Sequence, residues 1–237
     1  MVPMPARRFI LLGLILSLFL PTALPAPAQE VTVGVRNGVV RSTVQGEVLR
    51  QLFLESGPVR KRMQTGFQVA GFVRSPLTGR IGLQAELQYA QKGVALRGEY
   101  PTSCGGPRID CVVPSLDGTY QLSYVQLPVL LGWQRPLGRS VSVRTVIGPS
   151  LDVIASTNIK TASLRRSALP ENALTPASSA HLGVVGGAAL QYTMASGGRV
   201  LLSVRYHPAV TRVDVIGSDA AFRSRAYEFG VAYAFRR

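Results

Sequence analysis

Few residues in this sequence have the type and spacing for chemistry. Ser203 and His207 are the nearest thing to a nucleophile and its base, but four positions apart on an extended strand they would sit about 13 Å from each other, too far for direct proton transfer. The other histidine, His181, stands alone at the start of a predicted strand, and no third group is placed to orient either ring. Cys104 and Cys111 lie in a Gly/Pro-containing segment, and in an exported chain such a pair is expected to be oxidised. Closing so short a loop would contribute roughly 2 to 3 kcal/mol, enough to stiffen a loop but not to hold a domain. Two thiols without a neighbouring histidine do not make a zinc site. These residues read as those of a non-enzyme, with no cofactor and no metal. What remains is charge: Glu86, Arg144, Asp152, Arg205 and Glu228 share one parity on alternating segments, and buried charges of that kind need partners.

The elements that must position those charges are strands. In residues 226–235, Tyr227, Phe229, Val231, Tyr233 and Phe235 fall on one face, and Glu228, Gly230, Ala232 and Ala234 on the other. A large aromatic face opposite a small one suits a strand that meets lipid outside and a crowded lumen inside. The same alternation recurs in eight segments, at residues 30–41, 64–74, 80–97, 119–134, 139–155, 180–193, 199–208 and 222–236. The first two, around Val31, Val33 and Val35 and around Phe67, Val69 and Val73, are the least regular. Gaps after the second, fourth and sixth segments are short and turn-like, and the other gaps are several times longer. This predicts an all-β fold: an eight-stranded antiparallel up-and-down transmembrane barrel with short periplasmic turns and long extracellular loops.

Inside such a barrel the inward set would be Gln84, Glu86, Gln88, Tyr124, Gln126, Arg144, Asp152, Ser203, Arg205, His207 and Glu228. Eight strands leave an interior just wide enough for side chains to fill, so a large diffusion pore is not expected. If the last hairpin is symmetric, Arg205 faces Glu228 in the lumen and Tyr206 faces Tyr227 in lipid, which predicts an Arg205–Glu228 salt bridge. Trp133, Tyr192 and Phe235 beside the short turns, and Tyr206 and Tyr227 toward the other rim, predict two aromatic girdles. Pro128 inside a strand predicts a bulge there. Val48, Leu49, Leu52 and Phe53 recur at helical spacing, so the first long loop is expected to hold a helical turn or a hydrophobic cluster. A soluble lipocalin-like barrel with the apolar face inside is the alternative, but it would need Lys and Glu where these strands carry Gly, Ala, Ser and Gln.

The two ends and the composition bound the rest. Residues 1–28 read as a signal peptide, with Arg7 and Arg8 before an apolar core from Phe9 to Leu20 and Ala26-Pro27-Ala28 before the cleavage point. Residues 29–237 would then be one barrel domain. No later stretch is long and apolar enough for a helical span. The net charge of +14 could suggest nucleic acid, but an exported chain without an aromatic-and-basic recognition motif argues against it. The expected counter-charge is outer-membrane lipid and anionic glycolipid, and the expected protein partners are the barrel-assembly machinery and a partner at the long loops.

Three runs carry a resemblance: ELQYAQKG from Glu86 to Gly93, YVQLPVLL from Tyr124 to Leu131, and GPSL from Gly148 to Leu151. Together they resemble the PorT-like outer-membrane β-barrel proteins common in Bacteroidetes-type bacteria. The resemblance implies an eight-stranded barrel in the outer membrane. Its named member is associated with protein secretion, so an accessory subunit of a secretion or assembly machine stands beside a structural or surface-recognition role acting through the loops. Where that family often carries an acidic residue this chain has Gln126, and no catalytic residue carries over.

Alkylation of the purified, unreduced protein should leave Cys104 and Cys111 unmodified. Labelling of either thiol before reduction would contradict the disulfide.

Overall fold

The computed structural model describes residues 31–46, 60–99, 115–161, 180–214 and 221–235. Among them are nine strands and no helix: β1 (Thr32–Gly46), β2 (Arg60–Thr78), β3 (Ile81–Glu99), β4 (Ser115–Pro136), β5 (Val141–Thr161), β6 (Ala180–Thr193), β7 (Arg199–Pro208), the two-residue β8 (Val213–Asp214) and β9 (Ala221–Phe235). Eight long strands pair in chain order, all antiparallel, and β9 returns to β1 from Val33↔Phe235 to Gly46↔Phe222. That closure makes a barrel and leaves no sheet edge to expose unpaired N–H and C=O groups. The short β8 pairs with the start of β9 beyond the end of β7. The eight expected strands are all present, and β2 to β5 run further toward the long-loop end than their alternation alone indicates.

Tight connections join β2 to β3, β4 to β5 and β6 to β7, all at one end. Gly79 and Gly197 turn there with φ of 39° and 85°, in the left-handed region that glycine enters without a Cβ clash. The stretches 47–59, 100–114, 162–179 and 215–220 lie outside the described residues. They include Cys104, Cys111 and the Val48–Phe53 segment; the predicted signal peptide lies outside them as well.

The two faces of the wall differ as the alternation requires. Val33, Val35, Val39, Phe67, Val69, Leu83, Leu87, Ile147, Leu202, Phe229 and Val231 are exposed on the outside. Trp133, Tyr192 and Phe235 are exposed near the tight-turn end. Tyr206 and Tyr227 face each other across the last hairpin with ring centroids 5.0 Å apart. From Tyr227 to Phe235 the strand climbs about 27 Å, or about 20 Å once tilted, close to the apolar band of a membrane barrel. On β1 the outward position between Val35 and Val39 is polar, the exposed Asn37.

The bulge expected at Pro128 is elsewhere. Pro128 pairs with Ser150 in unbroken register with β5, and on the β3 side the ladder omits the 86–128 and 87–127 pairs without shifting. A missing proline N–H is accommodated by dropping a bond instead of inserting a residue. The extra residue is Ala155, since Ser123 pairs with Ser156 and Tyr124 with Ile154. There the alternation breaks, and Leu122, Ser123 and Tyr124 are all buried.

At the closing seam Gly38 of β1 pairs with Gly230 of β9. A Cβ at Gly38 would run into the Phe229 carbonyl and the Gly230 Cα. Gly38→Val should therefore destabilise the barrel by about 1 to 3 kcal/mol, read as a lower thermal midpoint by circular dichroism in detergent. An unchanged midpoint would mean that the seam has slack.

Candidate functional site

The lumen holds a layer of charge closed off by apolar side chains. Toward the long-loop end Val44, Val94, Tyr120, Leu122 and Phe222 are each 3% exposed or less, and the rings of Tyr120 and Phe222 meet edge to face. Toward the tight-turn end Phe72, Leu201, Ala232 and Ala234 form a buried cluster. Between them lie Arg36, Glu86, Lys92, Arg144, Asp152, His181, Arg205, His207 and Glu228, all buried. Each sits on the inward parity of its strand, which places these charges side by side in the interior.

Glu86 is the hub of the layer. Arg205 approaches it with two nitrogens, Nη1 to Oε2 at 2.8 Å and Nη2 to Oε1 at 2.9 Å, a bidentate pair. Arg36 Nη2 reaches the same carboxylate at 3.0 Å, and Gln84 Nε2 donates to Oε1. Arg36 also spans to Glu228 Oε2 at 3.3 Å and to Gln88 Oε1 at 2.6 Å. With its amide nitrogen toward Glu228 at 3.0 Å and its oxygen toward Arg36 at 3.3 Å, Gln68 fits between the two charges.

A second group continues from Glu228. His207 Nδ1 lies 3.1 Å from Glu228 Oε1, and its Nε2 lies 3.1 Å from Asp152 Oδ2. Lys92 Nζ is 3.2 Å from His207 Nδ1 and 4.0 Å from Asp152 Oδ2. Ser150 Oγ donates to Asp152 Oδ1 at 2.5 Å. His181 Nε2 is 3.7 Å from Asp152 Oδ2, and its ring packs edge to face on Tyr124. Lys92 stands 5.5 Å above the Tyr124 ring centroid. Among the described residues no group of three or more His, Cys, Asp and Glu could hold a metal ion.

All five predicted network residues are in this interior, but the pairing differs from the predicted one. The register is as expected, Arg205↔Glu228 and Tyr206↔Tyr227. Arg205, however, reaches across the lumen to Glu86, and Glu228 takes Arg36 and His207. A guanidinium on a long stem can cross the lumen, and the bidentate geometry at Glu86 is stronger than a lateral contact along the sheet. Sequence reasoning missed Arg36, Lys92 and Gln68, and left His181 without a partner. Arg36 shares the parity opposite Val33 and Val35, and Lys92 is the next inward position after Glu86, Gln88 and Ala90. The alternation itself was the signal for both.

Nor do Ser203 and His207 form a reactive pair. Ser203 Oγ donates to the Gly230 carbonyl at 3.1 Å, while both His207 ring nitrogens face carboxylates. No base is free to take a proton from the hydroxyl.

The model of the outer membrane protein beta-barrel domain matches residues 27–214. The chain belongs to this family. Its place is the outer membrane, with the tight turns on the periplasmic side and the long loops outside. Solved structures of similar architecture include OprG from Pseudomonas aeruginosa, at 11% identity and a TM-score of 0.46, covering 88% of this chain and 98% of that one. Neisserial surface protein A is similar at 10% identity and 0.44, covering 86% and 97%. Ail of Yersinia pestis, solved with the heparin analogue sucrose octasulfate, is similar at 13% identity and 0.38, covering 87% and 99%. No curated protein matches the chain in sequence.

Removing one partner of a buried ion pair strands the other charge. Glu86→Gln should therefore destabilise the barrel by about 3 to 5 kcal/mol. A double-mutant cycle should show stronger coupling between Arg205 and Glu86 than between Arg205 and Glu228. The reverse ranking of couplings would restore the hairpin pairing.

Proposed function

We propose that this barrel is non-enzymatic and serves a structural or surface-recognition role at its extracellular end, in contact with anionic glycolipid of the outer leaflet. The observation that carries this reading is the filled lumen. Among the described residues the charged side chains of the central layer are 6% exposed or less and lie between apolar layers, which supports an interior without a channel or a substrate cavity. The surface left for recognition is the outer wall and the loop end.

The outer wall has a matching chemistry. Beyond Tyr227, on the outward parity of β1 and β9, Arg41, Arg223 and Arg225 are exposed. Arg41 pairs with Tyr227, Thr43 with Arg225 and Gln45 with Arg223, so the three arginines share one strip just above the aromatic rim. Cations at that height face headgroup phosphates, where each contributes on the order of 1 kcal/mol. Export through a cleaved signal peptide and insertion by the barrel-assembly machinery belong to the same reading. The narrower PorT-like assignment, with a part in secretion, rests on the runs at residues 86–93, 124–131 and 148–151; a stoichiometric partner that co-purifies with the barrel would favour it.

Binding of bisphosphorylated lipid A to the detergent-purified barrel, followed by native mass spectrometry, tests the proposal. Changing Arg41, Arg223 and Arg225 together to Gln should weaken retention at least roughly tenfold. Equal retention by the variant and the parent would overturn the glycolipid contact.

A further inference from the structure

The three tight turns at the periplasmic end share a sequence pattern that the luminal network does not use. Each hands over to the next strand through Gly-Arg, at Gly79-Arg80, Gly138-Arg139 and Gly198-Arg199, and two of them carry Pro-Leu upstream of it, at Pro76-Leu77 and Pro136-Leu137. Every charged residue in the stretches 75–80, 135–140 and 194–199 is an arginine. Arg80, Arg135 and Arg139 are exposed, as are the turn leucines Leu77 and Leu137. Arg199 differs: it lies on the inward parity of β7, is half-buried and takes no part in this surface.

Backbone hydrogen bonds hold the exposed three in one corner of the wall. Gln134 N–H donates to the Arg80 carbonyl at 2.8 Å, which sets the β2–β3 turn against β4 beside Arg135. Leu137 and Gly138 N–H both donate to the Val141 carbonyl, at 2.9 and 3.2 Å, so the chain from Arg135 to Arg139 folds into a tight turn. Thr193 N–H donates to the Ser140 carbonyl at 2.8 Å and Val141 pairs with Tyr192, which ties that turn to β6. Arg135 lies on the outward face of β4 two residues beyond Trp133, about 5 Å nearer the periplasm on a tilted strand. Ile81 pairs with Trp133, and Ile81, Trp133 and Tyr192 are all exposed. The corner therefore joins an aromatic and apolar border in the girdle to a cationic border at the level of headgroup phosphates.

We propose that this corner is a binding site for the headgroup of an anionic phospholipid of the periplasmic leaflet, with Arg80, Arg135 and Arg139 around its phosphate and Trp133 and Ile81 beside the start of its acyl chains. Guanidinium groups present forked donors that match phosphate oxygens. Charge complementarity selects an anionic lipid over a zwitterionic one, whose amine would meet the same cations. Position selects a lipid over a soluble acidic protein, because Arg135 continues the lipid-facing parity of Leu131 and Trp133. The site faces the opposite leaflet from the strip of Arg41, Arg223 and Arg225 and is independent of the extracellular role proposed above.

Trp133 is the single tryptophan of the sequence, so its fluorescence reports on this corner alone. The barrel is folded into vesicles of phosphatidylglycerol and phosphatidylcholine at equal mole fractions, with bromine on the acyl chains of one lipid or of the other. Brominated phosphatidylglycerol should quench Trp133 more strongly than brominated phosphatidylcholine does in the mirror mixture, by an affinity ratio of at least about fivefold. Changing Arg80, Arg135 and Arg139 together to Gln should abolish that preference while the protein still shows heat-dependent gel mobility, since all three side chains are exposed. Changing Arg41, Arg223 and Arg225 to Gln should leave the preference at the parent value. Equal quenching by the two lipids in the parent would overturn the lipid site and leave the turns to an acidic periplasmic partner. A preference that survives in the Arg80, Arg135 and Arg139 variant would overturn it as well, by placing the selectivity on other residues.

Discussion

A chain that crosses hydrocarbon on strands cannot leave backbone N–H and C=O groups unpaired, and everything else in this barrel depends on that constraint. It forces β9 back onto β1 and fixes eight strands as the circumference. With the circumference fixed, the inner radius is too small for a water column and too large to stay empty. The inward residues are accordingly small where strands approach closely, as at Gly38 and Gly230, and long where side chains must meet across the lumen, as at Arg36, Arg205 and Glu86.

Filling the lumen with charge is an expensive solution, and it works here because the charges form one connected set. Glu86 accepts from Arg36, Arg205 and Gln84, Glu228 from Arg36, and His207 links Glu228 to Asp152. Such a network is worth having only when nearly every member is satisfied, since a half-satisfied one is weaker than an apolar core. Apolar layers at both ends strengthen each contact inside, and Arg144 joins the set through Gln84.

The wall of the barrel was legible in the sequence because a period of two is a local property. Leu83, Leu87, Tyr227 and Val231 declare their face by their immediate neighbours. The last hairpin was legible in register as well, because a tight antiparallel pair fixes Arg205 opposite Glu228. Luminal pairing was not, since Arg205 and Glu86 are 119 positions apart and meet only after the sheet closes. Arg36 was obscured because β1 carries Asn37 and Arg41 on the face that should read as apolar. The bulge was misplaced because proline signals a lost donor and not an inserted residue, whereas Ala155 carries no signal of its own. The apolar caps were hidden for a different reason: inward Val44, Val94 and Phe222 lie where the strands pass beyond the bilayer, and an apolar inward position there breaks the alternation expected within it.

Electrophoretic mobility of the protein from an outer-membrane fraction, unheated and boiled in the same detergent, tests the account most directly. A closed barrel whose lumen is filled and cross-linked by buried ion pairs should resist the detergent until heated and run faster unheated than boiled. Recovery of the protein in the soluble periplasmic fraction, with the same mobility before and after boiling, would contradict both the membrane wall and the interior described for it.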